Sequence, residues 1–172
     1  VEIPDQVTFA GETTTTERYD IRERLDRELN TFTYMHGSTM LMIKRANRLF
    51  PIIEPILKRN GIPDDMKYLA VIESNLDSDA KSPAGAIGLW QFMSSTAKEY
   101  GMEVTSEVDE RYNIEKSTIG ACRYLKSAYA KYGSWSAASM SYNGGMARIN
   151  SALNNQEVEE AMDLWLVQET TR

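Results

Sequence analysis

The chain has 172 residues, of which 42% are hydrophobic and 26% charged, proportions typical of one globular domain with its own core. A single cysteine, Cys122, and a single histidine, His36, exclude an internal disulfide and argue against a zinc site or a Ser-His-Asp triad. The net charge of −6 argues against nucleic acid as a partner, because phosphate binding requires clustered Lys and Arg. Carboxylate acid–base chemistry is the main catalytic class that remains.

The first part of the chain predicts an extended segment followed by two helices. Residues 1–16 contain prolines, glycines and a run of threonines, and they show no helical pattern. From 19 to 33, apolar residues recur at helical spacing, with Arg and Glu on the opposite face. The pattern breaks at 36–38, and we expect Ser38 or Thr39 to cap a second helix.

Two prolines interrupt the sequence after that helix. Pro51 and Pro55 predict a separate short segment that ends before Gly61, since proline disrupts a helix interior. Pro63 is a favourable first residue for the next helix, and acidic residues follow it where the helix dipole favours them.

That next helix carries the most informative residue of the chain, Glu73, which lies in the otherwise apolar stretch 68–74. Met66, Leu69 and Ala70 precede it at helical spacing, so its carboxyl is predicted to face the core near the end of the helix. Desolvation there raises the pKa of a carboxyl, as a general acid at neutral pH requires. The alternative is a Glu that turns out to solvent or pairs with an arginine.

The second half predicts a loop followed by helices. Residues 75–88 are rich in Ser, Pro and Gly and predict tight turns. Ser94 or Ser95 is expected to cap the first helix after the loop, and Ser134 the third. The predicted helices are 94–101, 114–132, 135–142, 146–153 and 157–166. Because no period-2 pattern is sustained, the predicted fold class is mainly α.

Three short clusters hold residue types that suit a sugar-binding groove. The clusters are residues 73–74, 82–93 and 141–145. Trp90 and Phe92 could stack on sugar rings or simply belong to the core, whereas the amide of Gln91 requires several partners if it is buried. Tyr142 and Asn143 have two interpretations. The Tyr142 hydroxyl could donate a hydrogen bond to the carboxylate or to the sugar, or the two residues could simply form a helix end with left-handed geometry.

Other reactive side chains have simpler interpretations. Asp109, Glu110 and Glu115 are candidates for a second catalytic acid, but their polar setting favours salt bridges or helix capping. Cys122 falls on the apolar stripe of its helix and is interpreted as a small core residue.

Three segments together resemble the lytic murein transglycosylases that have a soluble-lytic-transglycosylase, goose-lysozyme-like catalytic domain. The segments are 68–74 (YLAVIES), 82–93 (SPAGAIGLWQFM) and 138–145 (ASMSYNGG). The resemblance is firm from about residue 60 to 150 and looser from 20 to 60. It implies a mainly α, lysozyme-like catalytic domain over 61–172. An N-terminal extension and helical lead-in, 1–60, would pack on it as one compact unit.

By this resemblance, Glu73 is the sole catalytic acid and base. The residues expected to line the glycan groove are Ser74, Ser82, Gln91, Phe92, Met93, Tyr142 and Asn143. Glu73 would protonate the oxygen of the β-1,4 bond between N-acetylmuramic acid and N-acetylglucosamine and then accept the proton of the C6 hydroxyl. The product is a 1,6-anhydro ring, and the acetamido group of the substrate replaces a second carboxylate. Tyr142 is expected to hold the Glu73 carboxylate through a hydrogen bond.

The resemblance also implies the setting in which the protein works. It predicts peptidoglycan glycan strands as the partner, no cofactor, no metal, a monomer, and a periplasmic or cell-envelope location. Membrane anchoring, as in an outer-membrane lipoprotein, is expected only through segments outside this chain, and members of the family often continue into LysM modules. Two alternatives remain: a goose-type lysozyme that uses water, and a non-catalytic peptidoglycan-binding domain that has kept the fold.

Overall fold

The computed structural model describes residues 2–146 and 149–151, with His36 described by its backbone alone. Its elements are β1 (Gln6–Phe9), β2 (Glu12–Thr15), α1 (Tyr19–Tyr34), α2 (His36–Arg59), α3 (Lys67–Ser74), α4 (Ser94–Glu99), α5 (Ile114–Tyr132) and α6 (Trp135–Gly144). Short 3₁₀ turns, Asp64–Met66 and Glu110–Tyr112, precede α3 and α5. The mainly α class is confirmed. The predicted helix 157–166 lies outside the described residues, and of 146–153 the structure describes 146 and 149–151, all helical.

α2 contradicts the predicted break at the prolines. It runs without interruption for 24 residues, through Pro51 and Pro55, and it begins at His36 without a side-chain cap. The two prolines are four residues apart and both exposed, so the carbonyl groups that lose a hydrogen bond to them also face solvent. The opposite face of the helix is buried in the core and includes Leu49, Ile53, Ile56 and Leu57. Burial of this face outweighs the local cost of proline.

The core lies where α2, α3 and α5 meet, and α6 packs against α5. Met66 and Ala70 contribute to the core from the side of α3, and Trp90 contributes from the loop that follows α3. Cys122 on α5 is fully buried, as predicted, and burial raises the pKa of its thiol to about 11. The thiol therefore behaves as a small apolar group at neutral pH.

The extended N-terminal segment forms an antiparallel hairpin, β1 with β2, that docks on the helical part. Glu12 of β2 caps α6: its carboxylate accepts hydrogen bonds from the backbone N–H groups of Trp135 (2.5 Å) and Ser136 (2.9 Å) and from the Ser134 hydroxyl (3.0 Å). Ser134 also caps α6 as predicted, because its hydroxyl oxygen accepts from the N–H of Ala137. A carboxylate at a helix N-terminus meets unpaired N–H donors and the positive end of the dipole.

The same hairpin contacts the segment that leads into α3. The backbone N–H of Ala10 donates to the carboxylate of Asp65, at 2.8 Å. The hairpin is therefore bonded to the beginnings of the two helices that carry Glu73 and Tyr142.

Replacing Glu12 by Gln should lower the free energy of unfolding by about 1 kcal/mol at pH 7, since a helix cap loses its charge. Burial opposes ionisation of Glu12, but hydrogen bonds from Ser136, Trp135 and Ser134 outweigh it and lower its pKa from the ordinary 4.5. The stabilisation is thus present above that ordinary value and is lost as pH falls through the lower pKa of the folded state. Urea unfolding at pH 7 and at about pH 3.5 measures the effect.

The exposed Glu17 provides the control, and Glu17→Gln should leave stability unchanged at both pH values. An equal loss for Glu12→Gln at neutral and acidic pH would show that the charge of this cap is unimportant.

Candidate active site

Glu73 is the penultimate residue of α3, on the stripe it shares with the buried Met66, Leu69 and Ala70. Its side chain is half-buried, and burial raises its pKa to about 7. Among the described residues, no hydrogen bond or ion pair reaches its carboxylate. Glu73 is therefore neither turned fully to solvent nor paired with an arginine, and at neutral pH it is present in both protonation states.

Ser74, the next residue, connects the end of α3 to the following loop. Its hydroxyl lies within hydrogen-bonding distance of the carbonyl oxygens of Ala70 (3.0 Å) and Leu89 (2.8 Å). The hydroxyl oxygen also accepts from the N–H of Asp77, at 3.2 Å. The Ser74 hydroxyl thus forms its hydrogen bonds with backbone groups beside Glu73.

The loop after α3 consists of tight turns, as predicted. Ser82 stabilises the first of them by accepting a hydrogen bond from the N–H of Ala86, at 3.0 Å. Ile87 and Phe92 then pair their backbones through two hydrogen bonds, which brings the ends of the second turn together. Gly88 lies within that turn at a φ of +79°, in the left-handed region that glycine adopts without strain.

Gln91 lies in the same turn with a φ of +50°, which is unusual for a residue with a side chain. Its amide nitrogen donates to the carbonyl oxygens of Gly88 (2.9 Å) and Ala80 (3.3 Å). The amide oxygen has no hydrogen bond to any described residue, and the side chain is half-exposed. The protein thus orients the amide so that an acceptor remains available.

The neighbours of Gln91 differ in exposure. Met93, just before α4, is 43% exposed, and it precedes the helix without a side-chain cap, so the predicted cap at Ser94 or Ser95 is wrong. Phe92, expected to line the groove, is 3% exposed and packs in the core, which is the alternative that the sequence left open.

Tyr142 on α6 lies close enough to Glu73 for the two side chains to interact electrostatically. Its hydroxyl donates to the carbonyl oxygen of Trp90 at 2.8 Å, and its ring packs edge-on against Trp90, Phe92 and Tyr124. Burial, and next the charge of Glu73, raise the pKa of Tyr142 well above its usual range. The expected donation from Tyr142 to the carboxylate is not formed, because its single proton is directed at Trp90.

Asn143 follows on the exposed side of α6 and is helical. The helix runs to Gly144, two residues beyond the predicted end, and Gly145, one of the three residues expected to close it, has a positive φ of +81°. A helical Asn143 therefore presents its side chain to solvent on the surface next to Tyr142.

Arg111 is a buried residue of this region that the sequence analysis did not single out. Its guanidinium donates to the carbonyl oxygens of Gly85 and Phe92, both at 3.2 Å, and to the carboxylate of Asp109 at 2.7 and 2.9 Å. It thereby ties both turns of the loop to the 3₁₀ turn before α5. The polar run 109–111 was the available sequence signal for this contact. The two carbonyl partners of Arg111, however, lie 19 and 26 residues away in the chain.

The candidate second acids have structural roles or none near Glu73. The Arg111 side chain lowers the pKa of Asp109. The N–H of Glu103 and the ammonium of Lys116 bind Glu110 and lower its pKa. Glu115 is exposed in the first turn of α5. These contacts agree with the salt-bridge and capping interpretation.

Neither a metal-binding cluster nor a membrane-spanning helix is found in residues 2–146 and 149–151. Within those ranges, no three His, Cys, Asp or Glu side chains lie close enough together to hold a metal ion. No helix in the same part of the chain is long and apolar enough to cross a membrane.

The mainly α fold fits the lysozyme-like class of domains, and at a helix end beside a glycine-containing loop it holds a half-buried Glu that has no hydrogen bond or ion pair to a described residue. The family model described as "Transglycosylase SLT domain" matches residues 50–164, and the chain belongs to this family.

Similar proteins include membrane-bound lytic murein transglycosylase D of Escherichia coli (strain K12), which is 30% identical over an alignment of 155 residues that covers 87% of this chain and 33% of that protein. Membrane-bound lytic murein transglycosylase F of Cronobacter sakazakii (strain ATCC BAA-894) is 30% identical over 59% of this chain and 19% of its own length. Peptidoglycan transglycosylase gp16 of Escherichia phage T7 is 34% identical over 54% of this chain and 7% of its own length. The chain spans about a third of the length of the first of these relatives.

Proposed function

We propose that this chain is the catalytic domain of a peptidoglycan lytic transglycosylase. It would cleave the β-1,4 bond between N-acetylmuramic acid and N-acetylglucosamine without water and leave a 1,6-anhydromuramic end. This cleavage would serve cell-wall remodelling. The observation that carries the proposal is the Glu73 carboxyl, which is half-buried, has no hydrogen bond or ion pair to a described residue, and has its pKa raised to about 7. Family membership and relatives named as murein transglycosylases support it.

The first step uses Glu73 as a general acid. Its protonated carboxyl donates a proton to the glycosidic oxygen, the bond from that oxygen to C1 of the muramic acid breaks, and positive charge develops at C1. The apolar surroundings keep a large fraction of Glu73 protonated at neutral pH, which a solvated carboxyl would not be.

The second step uses the same residue as a base. The ionised Glu73 takes the proton of the C6 hydroxyl as the hydroxyl oxygen bonds to C1, so the ring closes and the acid form is restored. Burial destabilises the charged carboxylate and makes it a stronger base than one in water. One residue therefore serves both proton transfers, and no water enters the reaction.

The surroundings of Glu73 favour this scheme over a two-carboxylate hydrolase. In retaining glycosidases the second carboxyl lies about 5 Å from the acid, where like charge raises the pKa of the acid further. Within the part of the chain that the structure describes, burial alone raises the pKa of Glu73, and Asp109 and Glu110 are engaged elsewhere. We infer that the acetamido oxygen of the substrate stabilises the charge at C1 instead.

The glycan groove is proposed to run past Glu73 along the loop and the exposed part of α6. Its wall would include Ser74, Ser82, Gln91, Met93, Tyr142 and Asn143, with Phe92 supporting Tyr142 from the core. The free amide oxygen of Gln91 suits an N–H or hydroxyl donor of the sugar. Tyr142, held by the Trp90 carbonyl, would keep the apolar environment of Glu73 in place.

The setting follows from the same family. We propose that the protein acts on peptidoglycan strands at the cell envelope, as a periplasmic monomer, and that any membrane anchor belongs to segments outside this chain. Within one compact unit, residues 1–60 would serve as extension and helical lead-in and residues 61–172 as the catalytic part. Two of the relatives are named as membrane-bound murein transglycosylases, and this supports an envelope location.

The end groups of the products test the proposal. Purified peptidoglycan is digested in ¹⁸O-labelled water, treated with borohydride and analysed by mass spectrometry, with a hydrolytic lysozyme digest as reference. We expect ends that are one water lighter than reducing ends, free of ¹⁸O and resistant to borohydride. Labelled, reducible ends would identify a lysozyme, and intact polymer with retained binding would identify a glycan-binding domain.

A further inference from the structure

The chain reverses direction immediately after α3 through an uncommon turn. Asn75 and Leu76, the second and third residues after Glu73, have φ angles of +51° and +57°. Two consecutive left-handed residues are rare outside glycine, because the Cβ atom approaches the following carbonyl oxygen. Leu76 is nonetheless fully buried in the core. Whatever holds this turn also holds the end of the helix that carries the carboxyl.

Arg45 of α2 binds this turn from outside. Its guanidinium donates to the carbonyl oxygen of Asn75 at 3.1 Å and to the carboxylate of Asp77 at 2.8 Å. Two parallel contacts to a carbonyl and a carboxylate use the fork geometry of arginine, which lysine cannot reproduce. The Arg45 side chain is 23% exposed and that of Asp77 38% exposed, so the pair is partly shielded from water.

The contacts continue from Asp77 to the groove loop. The N–H of Asp77 donates to the carbonyl oxygen of Ser74 (3.0 Å) and to its hydroxyl oxygen (3.2 Å). The Ser74 hydroxyl in turn lies 2.8 Å from the carbonyl oxygen of Leu89. A connected set of hydrogen bonds therefore runs from Arg45 on the lead-in helix, past Glu73, to the loop that carries Gln91.

We propose that Arg45 is a positioning residue for Glu73: from α2 it holds the left-handed turn that ends α3 and so keeps the carboxyl in its apolar setting. The inference rests on the proposed function in that Glu73 is the catalytic group there. It assigns the lead-in helix a role in catalysis, beyond its part in the core.

Direct electrostatics cannot produce this effect. Among the described residues, no charged group contributes to the raised pKa of Glu73, Arg45 included, and its cause there is burial. The described ionisable group that responds to Glu73 from a neighbouring element is Tyr142 on α6. A change in the pKa of Glu73 on replacing Arg45 would therefore report a change in position and solvation.

The test compares Arg45→Met with Arg48→Met. Arg48 is exposed one turn further along α2 and has no hydrogen bond or ion pair to a described residue, so it is the matched control. Three quantities are measured: the pKa of Glu73, from the ¹³C shift of its carboxyl carbon, and kcat and KM on soluble glycan strands. For Arg45→Met we expect the pKa to fall by at least about one pH unit and kcat to fall about tenfold or more, with KM little changed. Arg48→Met should match the wild type in all three.

A rescue variant separates positioning from a general loss of stability. Glycine adopts the left-handed conformation without a steric cost, so Asn75→Gly added to Arg45→Met should restore much of kcat and of the pKa. If Arg45→Met does not fold, Asp77→Asn, which keeps the shape and removes the ionic partner, takes its place. A folded variant with unchanged pKa and unchanged kcat overturns the proposal.

The readouts also distinguish this inference from the function it builds on. If the wild type yields no anhydro ends but Arg45→Met still lowers the pKa of Glu73, the positioning role stands and the proposed reaction fails. If anhydro ends form and Arg45→Met leaves both the pKa and kcat unchanged, the reaction stands and the positioning role fails.

Discussion

Replacing Glu73 by Gln should lower kcat for glycan cleavage on the order of 10³-fold and leave the protein folded. The amide has nearly the same shape but cannot donate the proton to the glycosidic oxygen or recover it from the C6 hydroxyl. Since burial raises the pKa of Glu73 to about 7, ionised Glu73 disfavours the folded state above its ordinary value of 4.5. The variant should therefore unfold at the same temperature as the wild type or a higher one.

The pH dependence of the wild type completes this prediction. The acid form of Glu73 is required for bond cleavage, so kcat/KM should decline as the pH rises through about 7, the pKa of the buried carboxyl in the free protein. Glu115→Gln is the control, because Glu115 is an exposed carboxylate on α5 and was a candidate second acid. Near-normal turnover by Glu73→Gln, or an equal loss in Glu115→Gln, would contradict the assignment of the acid.

Replacing Gly88 by Ala should destabilise the protein by about 3 kcal/mol or more. A Cβ atom there would lie 2.1 Å from the carbonyl oxygen of Arg111 and 3.0 Å from its carbonyl carbon, at a φ of +79°. The backbone of Arg111 cannot move away easily, since its buried guanidinium is bonded to Gly85 and Phe92. Relief of the clash would displace the loop that carries Gln91.

Gly85 offers the matched control for this substitution. It has a φ of +90°, but a Cβ atom there would meet nothing within 4 Å. Gly85→Ala should therefore show backbone strain alone, about 1 kcal/mol, in the same urea-unfolding experiment. Equal losses for the two variants would show that the contact with Arg111 relaxes without cost. If the Gly88→Ala variant folds, its remaining kcat measures how much displacement of the loop the reaction tolerates.

The sequence predicted elements well where their signals are local. α5 spans Ile114–Tyr132, as predicted, because Asn113 caps its beginning and Gly133 ends it in left-handed geometry. Ser134 likewise marks the beginning of α6. A cap and a helical stripe involve residues within one or two turns of each other, so their effect can be read from neighbouring letters.

Local rules failed where distant packing decided the outcome. The prolines of α2 predicted a break, but they lie on the exposed face of a helix whose other face fills the core. The N-terminal hairpin had no period-2 signal, and it is held by Glu12, whose partners at the beginning of α6 lie 122–124 residues away. Neither result follows from local propensity, because the stabilising surface belongs to another part of the chain.

The same division applies to the candidate site. The helical class, the position of Glu73 on the buried stripe of its helix and the turns of the loop that follows could all be predicted from periodicity and turn residues. The hydrogen bond from the Tyr142 hydroxyl to the Trp90 carbonyl, 52 residues away, could not, and neither could the contacts of Arg45 with a turn 30 to 32 residues away. Periodicity determines which face of a helix is apolar. The partner of a polar group depends on which surfaces meet, and packing of the whole core determines that.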